Sequence, residues 1–133
     1  MNFKDLLAQN ELKATPQRLL ITEKIYEKGH ISIEDLFSTL KNIFPTISLA
    51  TIYKNINTMV EKSIIEEVKL PNQKNMYELK KQSHSHTICK QCNKVCDIFV
   101  SMDTLQQQID SLSDFDIADS SIVFVGVCKE CKS

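Results

Sequence analysis

Two cysteine pairs, Cys89-Lys90-Gln91-Cys92 and Cys128-Lys129-Glu130-Cys131, are the side chains in this sequence best spaced for chemistry. Two-residue spacing lets both thiolates of a pair pinch one ion from a tight turn, and four thiolates close a tetrahedral zinc site. A closed site keeps no open coordination position, so its expected role is to hold the fold. A second donor set, borderline to hard, lies beside it: His84 and His86 upstream of Cys89, and Asp97 downstream of Cys92. The fifth cysteine, Cys96, has no partner at that spacing and reads as a partly buried small residue.

The chain that must position these groups has 133 residues, enough for one ordinary domain or two small ones. No apolar run is long enough to span a membrane. The opening Met1-Asn2-Phe3-Lys4-Asp5 lacks the apolar stretch of a secretory signal, so a cytoplasmic location is expected. There, paired cysteines favour metal over disulfides. The formal net charge is −1, unevenly spread. Residues 1–82 hold 12 Lys and Arg against 10 Asp and Glu, whereas residues 83–133 hold 4 against 7. A mildly positive half can bind DNA if its positive groups share a face, because affinity follows the phosphates contacted. Nothing resembles a catalytic constellation: there is no Ser/His/Asp set and no glycine-rich phosphate loop, and no enzyme activity is expected.

The first half reads as helices, beginning at Phe3–Gln9. Thr15-Pro16 starts the next one, with Thr15 as N-cap, Leu19, Leu20, Ile21 and Ile25 on its buried side, and Gly29 at its end. Ser32 caps a third, whose Ile33, Leu36, Phe37 and Leu40 recur at helical period. Ser48 caps a fourth, with Leu49, Ile52, Ile56, Met59 and Val60 on the apolar side. Its other face carries Thr51, Lys54, Asn55 and Thr58. Strand-like stretches 64–70 and 75–79 flank a polar tip and predict a hairpin. Helices followed by a hairpin give the order of a winged helix-turn-helix, with the fourth helix reading DNA through Thr51, Lys54 and Asn55. Residues 80–86 are polar and read as a linker. The remainder predicts strands around 87–88, 95–99 and 121–127, and a helix over 102–112 with Leu105, Ile109 and Leu112 at its apolar positions.

These residues together resemble the ferric uptake regulator (Fur) family of metal-dependent repressors. The resemblance rests on Thr15-Pro16-Gln17-Arg18, on His30 with Ile33-Glu34-Asp35-Leu36-Phe37, and on Ser48-Leu49-Ala50-Thr51-Ile52-Tyr53-Lys54. It extends through Met76-Tyr77-Glu78, His84-Ser85-His86 and both cysteine pairs, almost the whole chain. It implies an α+β protein: a winged-helix DNA-binding domain (1–80), a hinge (81–86), and a small C-terminal α/β dimerisation and metal-binding domain (87–133) stapled by a four-cysteine zinc site. The implied partners are a second copy and a palindromic double-stranded DNA operator, with no membrane. Lys13, Arg18, Thr51, Tyr53, Lys54 and Asn55 are the implied DNA contacts, with Lys13 probing the minor groove. Lys54 stands where many members have arginine and lacks the guanidinium fork.

The resemblance also implies a regulatory site of His30, Glu78, His84, His86 and Asp97, holding Fe²⁺ or Mn²⁺, or else Zn²⁺. An ion gripped by all five would tie the two domains and favour the DNA-competent shape. Asp97 resembles the peroxide-sensing branch, since iron-uptake regulators usually have glutamate there. Ser83, Ser85 and 121–127 offer no ligands for the further site that many iron-uptake members carry. Glu78 departs from those peroxide sensors that have aspartate. Derepression by peroxide oxidation of His30 or His84 is therefore the expected switch. The alternative within the family is an iron- or zinc-responsive uptake regulator. Outside it stand a redox enzyme using the cysteine pairs and a zinc-binding protein-interaction module.

Overall fold

The computed structural model describes residues 1–132, which divide into two compact units, 1–81 and 82–132. The architecture is α+β. In the first unit four helices, α1 (Phe3–Gln9), α2 (Pro16–Lys28), α3 (Ile33–Lys41) and α4 (Leu49–Glu61), precede a hairpin of β1 (Ile65–Val68) and β2 (Met76–Leu79). Each helix is started by a side chain that takes up an otherwise orphaned backbone N–H. Asn2 accepts from Asp5, Thr15 from Arg18, Ser32 from Asp35 and Ser48 from Thr51. Glu34 and Asp35 in the first turn of α3, and Lys41 in its last, also suit its dipole. The hairpin is antiparallel, pairing Ile65 with Leu79 and Val68 with Met76.

The core of this unit draws on all four helices and β1: Leu7, Ile21, Ile25, Leu36, Leu40, Ile52, Ile56, Met59, Ile64 and Ile65 are all within 1% of full burial. Each such aliphatic side chain contributes about 1.5–3 kcal/mol. The buried stripe of α4 is narrower than its sequence predicts. Ile52, Ile56 and Met59 are buried, but Leu49 and Val60 remain 42% and 37% exposed. Residues 49 and 60 lie at the edges of the apolar sector, in the first and last turns, where the helix overhangs the packed layer. In α2 it is Ile21, Thr22 and Ile25 that are buried, with Leu19 and Leu20 only half so.

The second unit is a three-stranded sheet in the order β4-β3-β5, formed by β3 (Ser85–Cys89), β4 (Val95–Ile98) and β5 (Val123–Gly126), with α5 (Asp103–Leu112) between the last two strands. β3 pairs antiparallel with β4 and parallel with β5. Ser85 and His86 were expected in a linker, yet they begin the central strand. Their polarity hid a segment that is buried because it has a neighbour on each side. Among the described residues of this unit only Ser85, His86, Ile88 and Cys89 are buried. So thin a core needs a staple.

Candidate metal centres

Both cysteine turns are built by the sheet. At the end of β3 the Cys89 N–H donates to the Lys94 carbonyl (3.0 Å), and the Asn93 N–H donates to the Cys89 carbonyl (2.8 Å). Asn93 takes a φ of 65°, a left-handed position asparagine tolerates, which turns the chain so that Lys94 faces Cys89. Parallel pairing sets Cys89 opposite Gly126, so Cys128 emerges two residues past the sheet. Its N–H points at Cys89 Sγ (3.3 Å), and the N–H groups of Cys131 and Lys132 both donate to its carbonyl (3.0 Å), closing the second turn.

The four sulfur atoms lie within 4.8 Å of one another, with Cys92 and Cys128 Sγ 3.7 Å apart. Zinc–sulfur bonds of 2.3 Å at tetrahedral angles set the sulfurs about 3.8 Å apart, so the cage fits the ion. All five cysteines are free thiols. The backbone amides of Cys128 and Cys92 draw the Cys89 thiol down to about 6. The Cys131 thiol donates to the Cys128 and Cys92 sulfurs, which holds its proton and pushes it up to about 12. Thiolates this close resist common ionisation, and a dication is the charge that would let all four lose their protons.

A second group of ligand types lies on the sheet. β3–β4 register places His86 directly opposite Asp97. His86 Nε2 is 3.3 Å and His84 Nε2 3.5 Å from Asp97 Oδ1, and the two imidazole Nε2 atoms are 3.1 Å apart. His84 Nδ1–H donates to the Gln82 carbonyl (2.8 Å), which leaves the lone pair on Nε2, the nitrogen that faces His86 and Asp97. Bonds of 2.1 Å at right angles would set two ligand nitrogens about 3.0 Å apart. Two imidazoles and one carboxylate match the donor set of non-haem Fe²⁺ sites with open positions. The Gln82 carbonyl was not foreseen, since a backbone acceptor carries no sequence signal. Phe99 stacks obliquely on His84, ring centroids 5.3 Å apart.

In the first unit His30 meets Glu78 through local geometry. Gly29 ends α2 with φ 78° and ψ −56°, and the chain then forms a bridge from Ile31 to Tyr77, with N–H···O distances of 3.1 and 2.8 Å. Pairing at Tyr77 sets the next residue, Glu78, beside His30: the Nε2–Oε2 distance is 2.9 Å. Glu78 is 1% exposed, and Lys81 Nζ lies 3.9 Å from the same oxygen. A carboxylate this deep requires positive compensation.

The expected DNA contacts fall on one unit. Tyr53 and Lys54 are exposed on α4, Lys13 is exposed before α2, and Thr51 and Asn55 are half-buried. The Thr51 hydroxyl bonds the Ser48 hydroxyl at 2.9 Å. Arg18 is engaged inside the protein. Its Nε–H donates to Asn55 Oδ1 (3.2 Å) and its Nη1–H to the Lys13 carbonyl (3.0 Å).

The model of the ferric uptake regulator family matches residues 9–125. The chain belongs to the ferric uptake regulator family. A peroxide-responsive repressor PerR of Staphylococcus epidermidis is 30% identical over 123 residues, 91% of this chain and 82% of that protein. Its Staphylococcus aureus counterpart is 29% identical over 128 residues, 95% of this chain and 86% of that one. Among solved structures, the Francisella tularensis ferric uptake regulator with iron is similar at TM-score 0.74 and 33% identity, covering 92% of this chain and 96% of that one. The Campylobacter jejuni peroxide stress regulator gives 0.71 and 30%, covering 98% and 100%. As a Fur-family member the protein is a metal-responsive transcription regulator and not an enzyme. Among the described residues no helix is long and apolar enough to cross a membrane.

Proposed function

We propose that the protein is a homodimeric repressor of peroxide-stress genes. It would bind a palindromic operator when Fe²⁺ or Mn²⁺ is held by His84, His86 and Asp97 together with His30 and Glu78, and leave it when peroxide arrives. The observation that carries this reading is the meeting of His84 Nε2, His86 Nε2 and Asp97 Oδ1, with the His84 proton fixed on the far side of its ring by Gln82. Similarity to the staphylococcal peroxide-responsive repressors and to the Campylobacter peroxide stress regulator supports the peroxide branch. Bound ferrous ion would supply the electron that turns peroxide against a neighbouring imidazole. His30 and His84 are the side chains to be oxidised, and loss of either removes a ligand. Because His30 and Glu78 belong to one unit and the other three ligands to the next, a shared ion would restrain one unit against the other. That restraint must favour the DNA-competent state for repression to follow.

The four-cysteine cage is assigned Zn²⁺, holding the second unit. Lys13, Thr51, Tyr53, Lys54 and Asn55 are assigned to the duplex. The second copy is assigned to α5 and β5. No residue of α5 is buried, and Leu105, Ile109, Leu112, Phe124 and Val125 are 41–83% exposed. β5 is also an edge strand. The iron-bound Francisella relative, at 33% identity, favours a second reading, an iron-responsive uptake regulator. One experiment separates the two. The Fe²⁺-loaded protein is exposed to mild peroxide and its peptides are weighed. One added oxygen on His30 or His84, with loss of DNA binding, is the expected result. Unmodified histidines and retained DNA binding would leave the metal-responsive reading standing instead.

A further inference from the structure

Arg18 was expected to touch DNA, but its hydrogen bonds describe a different task. Its guanidinium reaches Asn55 Oδ1 on α4, 37 residues further along the sequence, and the Lys13 carbonyl ahead of α2. Its backbone is held as well: the Arg18 N–H donates to Thr15 Oγ1 (3.2 Å), and the Arg18 carbonyl accepts from the fully buried Thr22 hydroxyl (2.8 Å). The group is thus fixed at its base and bonded at its tip.

A guanidinium only donates, so the amide atom of Asn55 that faces it must be the oxygen. The orientation follows from chemistry. With one lone pair of Oδ1 taken, Asn55 is left to present its NH₂ outward. Asparagine reads adenine bidentately by accepting from N6 while donating to N7. An amide locked oxygen-inward is poorly placed for that. It suits base edges that offer acceptors alone, O6 and N7 of guanine or O4 of thymine.

Resting on the DNA-binding reading above, we infer that Arg18 is a positioning residue. It locks the Asn55 amide so that α4 selects a keto base, guanine or thymine, at one position of each half-site, and the same guanidinium sets the backbone that carries Lys13. Arg18 itself makes no phosphate contact in this account. Phosphate contacts position a protein and base contacts specify sequence, so the two roles leave different traces.

The test uses the full-length, metal-loaded protein and duplexes that the wild type selects from a random library. Failure of the wild type to select any sequence, or to show salt-dependent affinity, would sink the DNA-binding reading itself. Given selection, Arg18→Lys and Asn55→Ala should each lower discrimination at the same base pair by about tenfold, the scale of one good base contact. The double variant should lose no more than either single one. The slope of log affinity against log salt should be unchanged in Arg18→Lys and in Arg18→Gln. A lost phosphate contact would instead flatten that slope by about 0.9 in Arg18→Gln. Additive losses, losses at different base pairs, or a flattened slope with base preference intact would each overturn the inference. Asn55→Asp guards against a folding artefact: it keeps the acceptor for Arg18 but has no NH₂, and should lose the same keto preference. Retention of that preference in a folded Asn55→Asp protein would also overturn it.

Discussion

Single side chains in this protein are fixed by neighbours that sequence spacing shows only in part. The two cysteine pairs were legible, because a two-residue spacing dictates its own turn, whereas Cys96, expected to be partly buried, is exposed. Glu78 was legible only through resemblance, since its depth depends on a bridge to Ile31 from another element. The bond from Arg18 to Asn55 had no local signal at all. Tyr77, adjoining Glu78, offers a test at this scale. Its hydroxyl donates to Glu67 Oε2 at 2.9 Å, and burial followed by the Glu67 carboxylate pushes its pKa from 10.0 to about 12. A phenol whose folded pKa is raised stabilises the fold fully below pH 10 and loses that contribution as pH climbs toward 12. Tyr77→Phe should therefore cost about 1 kcal/mol at neutral pH, the low end for a bond to a partly solvated carboxylate. Its deficit relative to wild type should shrink as pH rises through that window. Urea unfolding at stepped alkaline pH measures it, and a constant deficit would disprove the assignment.

Elements were easiest to read where caps and period agree. Thr15, Ser32 and Ser48 all cap the helices their sequence announces. The period misleads at helix ends: Leu49 and Val60 look internal on a helical projection but overhang the core. It fails for β3, where Ser85 and His86 interrupt the apolar pattern that would mark a central strand. The link from α2 to the Ile31 bridge depends on one backbone angle. Gly29 has room for a Cβ, with nothing within 4 Å, yet its φ of 78° is a region that side-chain-bearing residues rarely adopt. Gly29→Ala should destabilise the protein by roughly 1–3 kcal/mol through strain alone. It should also weaken Mn²⁺ binding, because His30 follows directly, while zinc content stays the same. Thermal melts, metal titration and zinc analysis on one preparation would check all three.

At the scale of the molecule, the second unit does not hide its own apolar surface. Leu112 is 83% exposed and Phe124 50%, on a helix and an edge strand that a second copy would cover. Leu112→Asp should raise the dimer dissociation constant by about tenfold or more, the scale of a lost interface anchor. Sedimentation at graded concentrations reads this directly, and an unchanged dimer would move the interface elsewhere. The sequence announced the apolar positions of α5 but not their exposure, since a lone chain cannot show which faces wait for a copy. One strand finally links the two ligand sets. β3 carries Cys89 at its end and His86 three residues earlier, and β4 and β5 are both pinned to it. Zinc in the thiolate cage would therefore brace the same strand that carries His86. With zinc so placed, the structural ion would support the site of the signalling one. In a zinc-starved cell, newly made copies would hold their histidines less firmly.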